Sequence, residues 1–213
     1  MSYTAIIFDL DGTIIDTEVL WDECSVEFLE AHGAVYNLAD TKHLLMGRSL
    51  EEGAEIMRDH YGFTGDPKIL AQERRVIFER LLEREVAFIP GFKEFFDRVK
   101  DNYKLAVGTS MERPFIERVE RHLDLSHYFG DHIYSVSDIG FITKPNPDIF
   151  LYAAKKIGVI HADCLVIEDA PNGILAAKAA GMDCVGITTS TSAARLKAAG
   201  ADQVVNQYLD IKL

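Results

Sequence analysis

The chain has 213 residues, 48% hydrophobic and 26% charged, which is typical of a soluble globular protein with one large or two modest domains. Its 34 acidic and 22 basic side chains give a net charge of −12, which argues against a nucleic-acid partner or an anionic membrane surface. No apolar run reaches the length of a membrane span, and the first predicted strand leaves no room for a signal peptide. The three cysteines lack paired spacing, so we expect buried, reduced thiols, which fits a cytoplasmic setting. We also expect a monomer.

The first predicted element is a short buried strand over residues 5–8, because an apolar run there ends at a turn signal. Asp9 and Asp11 follow it at alternate positions, and Gly12 comes next. Ligands of open α/β sheets bind just beyond the carboxyl ends of strands. Two acids at such a place, beside a glycine that lets backbone N–H groups approach closely, suit a magnesium ion and a phosphate. The alternative is a strand that runs into an ordinary acidic turn.

Residues 17–88 form a helical and strongly charged block with 15 acidic and 8 basic side chains. After a first helix near its start, the apolar spacing predicts helices over about 50–60 and 67–85. Pro67 suits the first turn of the later helix, where its missing N–H costs little. The block separates the first strand from the remaining strands, so we expect it to be an insertion.

Strands and helices alternate after Pro90 and Gly91. Strands are predicted over 105–108, 132–136, 164–167 and 184–187, and helices over 92–100, from about 113, over 147–157 and over 173–180. This alternation indicates a parallel sheet covered on both faces. We therefore expect an α/β fold with a Rossmann-like core, residues 1–16 and 89–213, and an inserted all-helical cap domain, residues 17–88. The chain crosses between them near Asp16 and Ile89, which would make a hinge.

Three later segments carry polar residues that suit the same phosphate. Thr109 and Ser110 offer hydroxyl donors, although such a pair is also a common helix cap. Lys144 precedes two prolines in a rigid turn, where its ammonium would balance carboxylates and bind phosphate; a solvated surface lysine is the alternative. Glu168 and Asp169 follow an apolar run, and carboxylates there are costly unless a metal ion or structural hydrogen bonds pair them.

Together these residues indicate phosphoryl transfer through an aspartyl intermediate. A carboxylate nucleophile divides one difficult displacement into two easier ones. Magnesium and a lysine neutralise the phosphoryl oxygens. A second carboxyl group, for which Asp11 is the candidate, protonates the leaving oxygen and later deprotonates a water molecule.

The motifs resemble those of the haloacid dehalogenase superfamily, and within it the phosphatases similar to β-phosphoglucomutase. The resemblance covers essentially the whole chain, with all four family motifs in order: Asp9-Leu-Asp-Gly-Thr, Thr109-Ser, Lys144-Pro-Asn-Pro-Asp-Ile-Phe and Glu168-Asp-Ala-Pro-Asn-Gly. It also implies a helical cap after the first strand.

The resemblance assigns roles to these positions. It implies Asp9 as nucleophile and Asp11 as general acid and base. It implies Mg²⁺ held by the carboxylates of Asp9 and Asp169 and by the backbone carbonyl of Asp11, with Glu168 beside the ion directly or through water. The implied phosphate-binding residues are Gly12, Thr109, Ser110 and Lys144.

The resemblance also limits which reactions of the superfamily this chain is expected to catalyse. Dehalogenases lack an acid at the position of Asp11, and the cap lysines, Lys42 and Lys68, are not in a recognisable phosphonatase context. β-Phosphoglucomutase has a histidine where this chain has Trp21, and its cap arginine does not align with Arg48. We therefore expect a Mg²⁺-dependent phosphomonoesterase for a small sugar, polyol or nucleoside phosphate, with a phosphosugar mutase as the alternative. Receiver domains, which are non-enzymatic, space their acids differently and lack a long helical insertion.

Residues of the cap are expected to select the leaving group. Arginines on a helical cap are more often solvated or paired, so each of these assignments has a structural alternative. The candidates are Glu18, Trp21, Met46, Gly47, Arg48 and Ser49, together with Arg74 or Arg75.

Overall fold

The protein has an α/β fold, and the computed structural model describes residues 3–45, 48–84 and 86–213. The strands of this part of the chain are β1 (Ala5–Phe8), β2 (Ile15–Asp16), β3 (Ala87–Phe88), β4 (Lys104–Thr109), β5 (Ile133–Ser135), β6 (Cys164–Glu168), β7 (Asp183–Ile187) and β8 (Gln203–Val205). A six-stranded sheet has the order β5–β4–β1–β6–β7–β8, and its strand pairs are all parallel. Strands β2 and β3 form a separate antiparallel pair.

Helices lie on both faces of the sheet. Those in the described residues are α1 (Glu18–Ala31), α2 (Leu38–Leu45), α3 (Leu50–Tyr61), α4 (Pro67–Leu81), α5 (Phe92–Val99), α6 (Arg113–Leu123), α7 (Leu125–Phe129), α8 (Asp148–Lys156), α9 (Pro171–Ala179) and α10 (Ala193–Ala198). The predicted α/β class, with a parallel sheet and an all-helical insertion, is confirmed.

Strand β1 is central and wholly buried, since both faces of the sheet are covered. Successive side chains of a strand point to opposite faces, and accordingly Ile6 and Phe8 belong to one core cluster while Ala5 and Ile7 belong to the other. Phe8 packs edge-on against three rings of α5 and α7, namely Phe92, Phe95 and Phe129. Complete burial of an aromatic side chain such as this one stabilises a fold by roughly 1.5–3 kcal/mol.

Helices α1 to α4, called the helical insertion below, lie between β2 and β3. The two strands pair Ile15 with Phe88 and Asp16 with Ala87, so the chain leaves and re-enters at one place. Phe28 and Phe78 of the insertion are fully buried in the core cluster that covers one face of the sheet. The division into a core domain and a cap domain of residues 17–88 stays a prediction.

Local sequence signals account for the ends of two helices of the insertion. The hydroxyl of Ser49 accepts the backbone N–H of Glu52, whose carboxylate in turn accepts the N–H of Ser49, and this capping box begins α3. Gly62 ends α3 in the left-handed conformation that glycine adopts without strain. Asp66 caps α4, and Pro67 occupies its first turn.

The structure differs from the sequence prediction in several places. The helix predicted over 67–85 ends at Leu81, and helix α2, between the first and second predicted helices, was not predicted. Helices α7 and α10 and strand β8 were also missed, because each has six residues or fewer and too little periodicity to identify it. Among the described residues, no helix has the length and apolar character needed to cross a membrane.

Candidate active site

Parallel pairing brings the carboxyl ends of three strands to one edge of the sheet. Phe8 of β1 is in register with Val107 of β4 and with Ile167 of β6. The residues that follow, including Asp9 and Glu168, therefore lie side by side, and the N–H of Asp9 donates to the carbonyl of Ile167 at 3.0 Å. Connections run outward from β1 in both directions, which is where open α/β sheets bind ligands.

Three buried carboxylates and one lysine form the centre of this edge. Oxygen atoms of Asp9, Glu168 and Asp169 all lie within 4.8 Å of one another, and none of the three residues is more than 5% exposed. The ammonium of Lys144, itself 1% exposed, lies 2.5 Å from Asp9 Oδ1 and 2.8 Å from Glu168 Oε1. Glu168 also accepts the N–H of Ala170 at 2.6 Å.

The charges of this cluster do not balance. Burial raises the pKa of Asp9 to about 7 although Lys144 opposes the rise, and burial with the charges of Glu168 and Asp9 raises the pKa of Asp169 well above its usual range. Burial disfavours the Lys144 ammonium, but attraction by Asp9 and Glu168 outweighs it and raises the pKa of that lysine. Three carboxylates facing one ammonium fit a divalent cation with oxygen ligands.

Two glycines leave room for the carboxylates. Gly12 has φ +71°, and a Cβ there would overlap Asp169 Oδ2 and Ser190 Oγ. A Cβ on Gly173, in α9, would overlap Glu168 Oε1. Sequence reasoning anticipated Gly12 but missed Gly173, whose only signal is its place in the Glu168-Asp-Ala-Pro-Asn-Gly motif.

Asp11 accepts hydrogen bonds from two donors at the start of α1. Thr17 donates its hydroxyl to Asp11 Oδ1, and the indole of Trp21 donates to Oδ2 at 3.2 Å. Burial raises the pKa of Asp11 to about 6, and the two hydrogen bonds oppose that rise. The Trp21 ring stacks on Phe78 with a centroid distance of 3.5 Å. Thr17 was not predicted to belong to the site, and the sequence gives no signal for it beyond its position before α1.

The predicted phosphate-binding hydroxyls lie at the same edge. Thr109 is 1% exposed, and its Oγ1 accepts the N–H of Met111 at 3.0 Å. Thr109, Ser110 and Lys144 line one cavity with Asp9 and Asp11. The structure thus brings together every core residue that the motifs single out.

Helices of the insertion close the other side of this cavity. Its lining from the insertion includes Glu18, Trp21, Asp22, Ser25, Tyr36, Lys42, Arg48, Ser49, Gly53 and Arg74. Glu18 pairs with Lys42 at 2.5 Å, and Arg48 lies 3.8 Å from Glu52. The hydroxyl of Ser49 caps α3, which gives that residue a structural role beside the predicted contact with substrate.

The structure separates the two arginines that the sequence left as alternatives. Arg75 pairs with Glu112, the residue that precedes α6, at 2.6 Å, whereas Arg74 lines the cavity. The remaining specificity candidates, Met46 and Gly47, lie outside the described residues.

Comparison with known proteins identifies the family. The sequence model of the haloacid dehalogenase-like hydrolases matches residues 3–181. The chain belongs to this family. It is a hydrolase that acts on phosphate monoesters.

Curated relatives and solved structures of this family cover nearly the whole chain. A probable pseudouridine-5'-phosphatase of Drosophila melanogaster is 32% identical over 98% of this chain and 91% of its own length. A fructose-1-phosphate phosphatase of Escherichia coli is 35% identical over 87% of this chain and 96% of its own length. A haloacid dehalogenase hydrolase of Entamoeba histolytica superposes with a TM-score of 0.85 at 27% identity, over 99% of this chain and 96% of that one.

Proposed function

We propose that this hydrolase is a Mg²⁺-dependent phosphomonoesterase that works through a phosphoaspartyl intermediate on Asp9. The observation that carries the proposal is the buried cluster of Asp9, Glu168, Asp169 and Lys144 at the carboxyl ends of the strands. Asp11 lines the same cavity as this cluster. A nucleophilic carboxylate, a proton donor and cation-binding acids are the groups that this chemistry needs.

The acidic cluster fits a magnesium ion. The carboxylates of Asp9 and Asp169 and the backbone carbonyl of Asp11 would hold it, with Glu168 beside it directly or through water. All of these donors are oxygen atoms, as Mg²⁺ prefers. When bound, the ion supplies positive charge to the phosphoryl oxygens.

Asp9 is the nucleophile of the proposal. Its backbone is fixed by the hydrogen bond from its own N–H to Ile167, and its side chain by Lys144. One carboxylate oxygen attacks phosphorus, the bond from phosphorus to the leaving oxygen breaks, and the phosphoryl group becomes attached to Asp9. Lys144 and the hydroxyls of Thr109 and Ser110, with backbone N–H groups near Gly12, would bind the phosphoryl oxygens during this transfer.

Asp11 is the general acid and base of the proposal. Its protonated carboxyl group donates a proton to the leaving alkoxide, and the resulting carboxylate takes a proton from the water that attacks the phosphoaspartate. Attack by water releases inorganic phosphate and restores Asp9. Thr17 and Trp21 keep the Asp11 carboxyl turned toward the insertion, the side from which a leaving group would be contacted.

The proposed substrate is a small phosphorylated metabolite. Relatives at 32% and 35% identity are named for pseudouridine phosphate and fructose 1-phosphate, and both compounds are phosphate monoesters of a hydroxylated leaving group. The cavity lining of charged and hydroxyl-bearing residues such as Glu18, Ser25, Tyr36 and Lys42 supports a polar leaving group.

Phosphate release from a panel of sugar, polyol and nucleoside phosphates, with and without Mg²⁺, tests the proposal. We expect Mg²⁺-dependent release by the natural protein and loss of at least about 10³-fold in kcat for Asp9→Asn, since covalent catalysis is removed. Asp131→Asn, at an exposed position, is the matched control. An Asp9→Asn variant that keeps a tenth of the activity would exclude the covalent intermediate. Isomerisation of β-glucose 1-phosphate with its bisphosphate, without phosphate release, would mean a mutase.

A further inference from the structure

Arg74 is a buried cation that the proposed chemistry does not use. It lies in α4, is 4% exposed, and its Nε has no hydrogen-bond partner. Its guanidinium lies 5.8 Å from the centre of the Phe28 ring, and the Cys24 thiol is a further neighbour. Within residues 3–45, 48–84 and 86–213, no carboxylate pairs with it.

Lys42 and Arg48, which also line this part of the cavity, each have a carboxylate within 4 Å, although Arg48 Nε, like Arg74 Nε, has no hydrogen-bond partner. Lys42 lies 2.5 Å from Glu18 and 2.8 Å from Asp22, while Arg48 lies near Glu52. A charge that is buried without a partner costs free energy, because the lost hydration is not replaced. An anion that enters the cavity would remove this cost at Arg74.

The surroundings leave the guanidinium room to meet such an anion. Gly53 of α3 faces it, and a Cβ on that glycine would lie only 2.5 Å from Arg74 Nη1. Arg74 lines the same cavity as Asp9, so a molecule with its phosphate at Asp9 can extend toward α4. The transferring phosphate already has its own ammonium, Lys144, so Arg74 is available for a different group.

We propose that Arg74 binds a second anionic group on the leaving-group side of the substrate, either a carboxylate or a second phosphate. A hydroxyl group would accept a hydrogen bond from Arg74 but would not neutralise its positive charge. A carboxylate or a phosphate neutralises that charge and also accepts paired N–H donors from the guanidinium. The inference rests on the proposed phosphatase function and adds the class of leaving group to it.

Three matched substrate pairs test the inference. Glucose 6-phosphate with 6-phosphogluconate, and 2-hydroxyethyl phosphate with 2-phosphoglycolate, differ by a carboxylate. Fructose 1-phosphate with fructose 1,6-bisphosphate differs by a second phosphate. We expect the natural protein to have a kcat/KM at least tenfold higher for the doubly anionic member of one class, and that class identifies the group.

The variants separate recognition from folding. Arg74→Met should bring the ratio of kcat/KM for the doubly anionic member to that for its singly anionic partner down at least tenfold, because only the second anion contacts residue 74. Gly53→Ala keeps the charge but displaces Nη1, and it should show the same selective loss; alanine is also the better helix former. Arg80→Met, at an exposed site of the same helix, is the control and should leave the preference intact.

The outcomes distinguish this inference from the proposed function. No Mg²⁺-dependent phosphate release from any substrate, p-nitrophenyl phosphate included, would overturn both. General phosphatase activity without preference for a second anion would overturn the inference alone. So would an equal loss by Arg74→Met on both members of a pair with a lowered Tm, since that pattern describes a structural arginine. Gly53→Ala decides the matter if Arg74→Met does not fold.

Discussion

Trp21 donates its indole N–H to Asp11 Oδ2 at 3.2 Å, across the junction between the first strand of the core and the first helix of the insertion. Thr17 occupies the other oxygen of the same carboxyl group. Because the indole ring is itself fixed by stacking on Phe78, its hydrogen bond holds the Asp11 carboxyl group in one orientation. A proton donor held in one orientation transfers its proton efficiently only to a leaving oxygen in the matching position.

Loss of the indole donor should slow hydrolysis most for leaving groups with a high pKa, since these must be protonated as they depart. For Trp21→Phe we expect kcat to fall about 10- to 100-fold with alkyl phosphates, because general acid catalysis contributes about 10²- to 10⁴-fold. With p-nitrophenyl phosphate, whose leaving group departs as an anion, the fall should be less than about threefold. The measurement is kcat against the pKa of the leaving alcohol.

Trp21→His is the matched comparison, since imidazole keeps an N–H donor on an aromatic ring. It should recover part of the loss seen with alkyl phosphates. An equal loss for every leaving group in both variants would mean that Trp21 acts by packing on Phe78 and not by positioning Asp11.

Lys144 should be required for both activity and stability. Lys144→Met leaves Asp9 and Glu168 without their common partner, and breaking a buried ion pair from one side costs about 3–5 kcal/mol. We expect a fall of that size in the free energy of unfolding, measured in urea without Mg²⁺, and a loss of at least about 100-fold in kcat.

Lys197→Met, at an exposed position in α10, is the control for this change and should alter neither quantity measurably. Unchanged unfolding of Lys144→Met would show that the two carboxylates need no ammonium. Activity within tenfold of the natural protein would remove Lys144 from the set of groups that bind the phosphate.

The sequence predicted that the core residues of the site would lie together, because they follow strands at fixed offsets, while their chemical roles stay a prediction. Asp9 and Asp11 come directly after β1, and Glu168 ends β6, so a parallel sheet necessarily brings them to one edge. Lys144 lies in a loop before α8, and its distance from Asp9 depended on how that loop packs. The resemblance to a family, not the spacing alone, placed it at the site.

The sequence could not predict which side chains of the insertion would reach the cavity. Arg74 and Arg75 are consecutive on α4 and point about 100° apart, and the helical period does not tell which face meets the core. In the structure Arg75 pairs with Glu112, whereas Arg74 lines the cavity. The contact of Thr17 with Asp11 was likewise not predictable, because it depends on how the chain turns between β2 and α1, which the local sequence does not specify.

The three cysteines should be inert in the folded protein. Cys24, Cys164 and Cys184 are free and buried, as predicted, and burial raises the pKa of Cys24 and of Cys164 to about 11. A thiolate is the reactive form, so at pH 7.5 a disulfide reagent such as 5,5'-dithiobis(2-nitrobenzoate) should release less than one equivalent of chromophore within minutes. In urea all three should react. Fast modification under native conditions would contradict the burial of the thiols.

Gly173→Ala should impair the proposed metal site while sparing the fold. The added Cβ would overlap the Glu168 carboxylate, which then has to turn away from Lys144 and from the cluster with Asp9 and Asp169. Alanine favours a helix over glycine by about 1 kcal/mol, so α9 itself gains. We expect the Mg²⁺ concentration for half-maximal activity to rise at least about tenfold, since partners of metal ligands contribute factors of 10 to 100. Leu175→Ala, exposed on the same helix, should leave the titration unchanged. If Gly173→Ala titrates like the natural protein, Glu168 does not contribute to holding the ion.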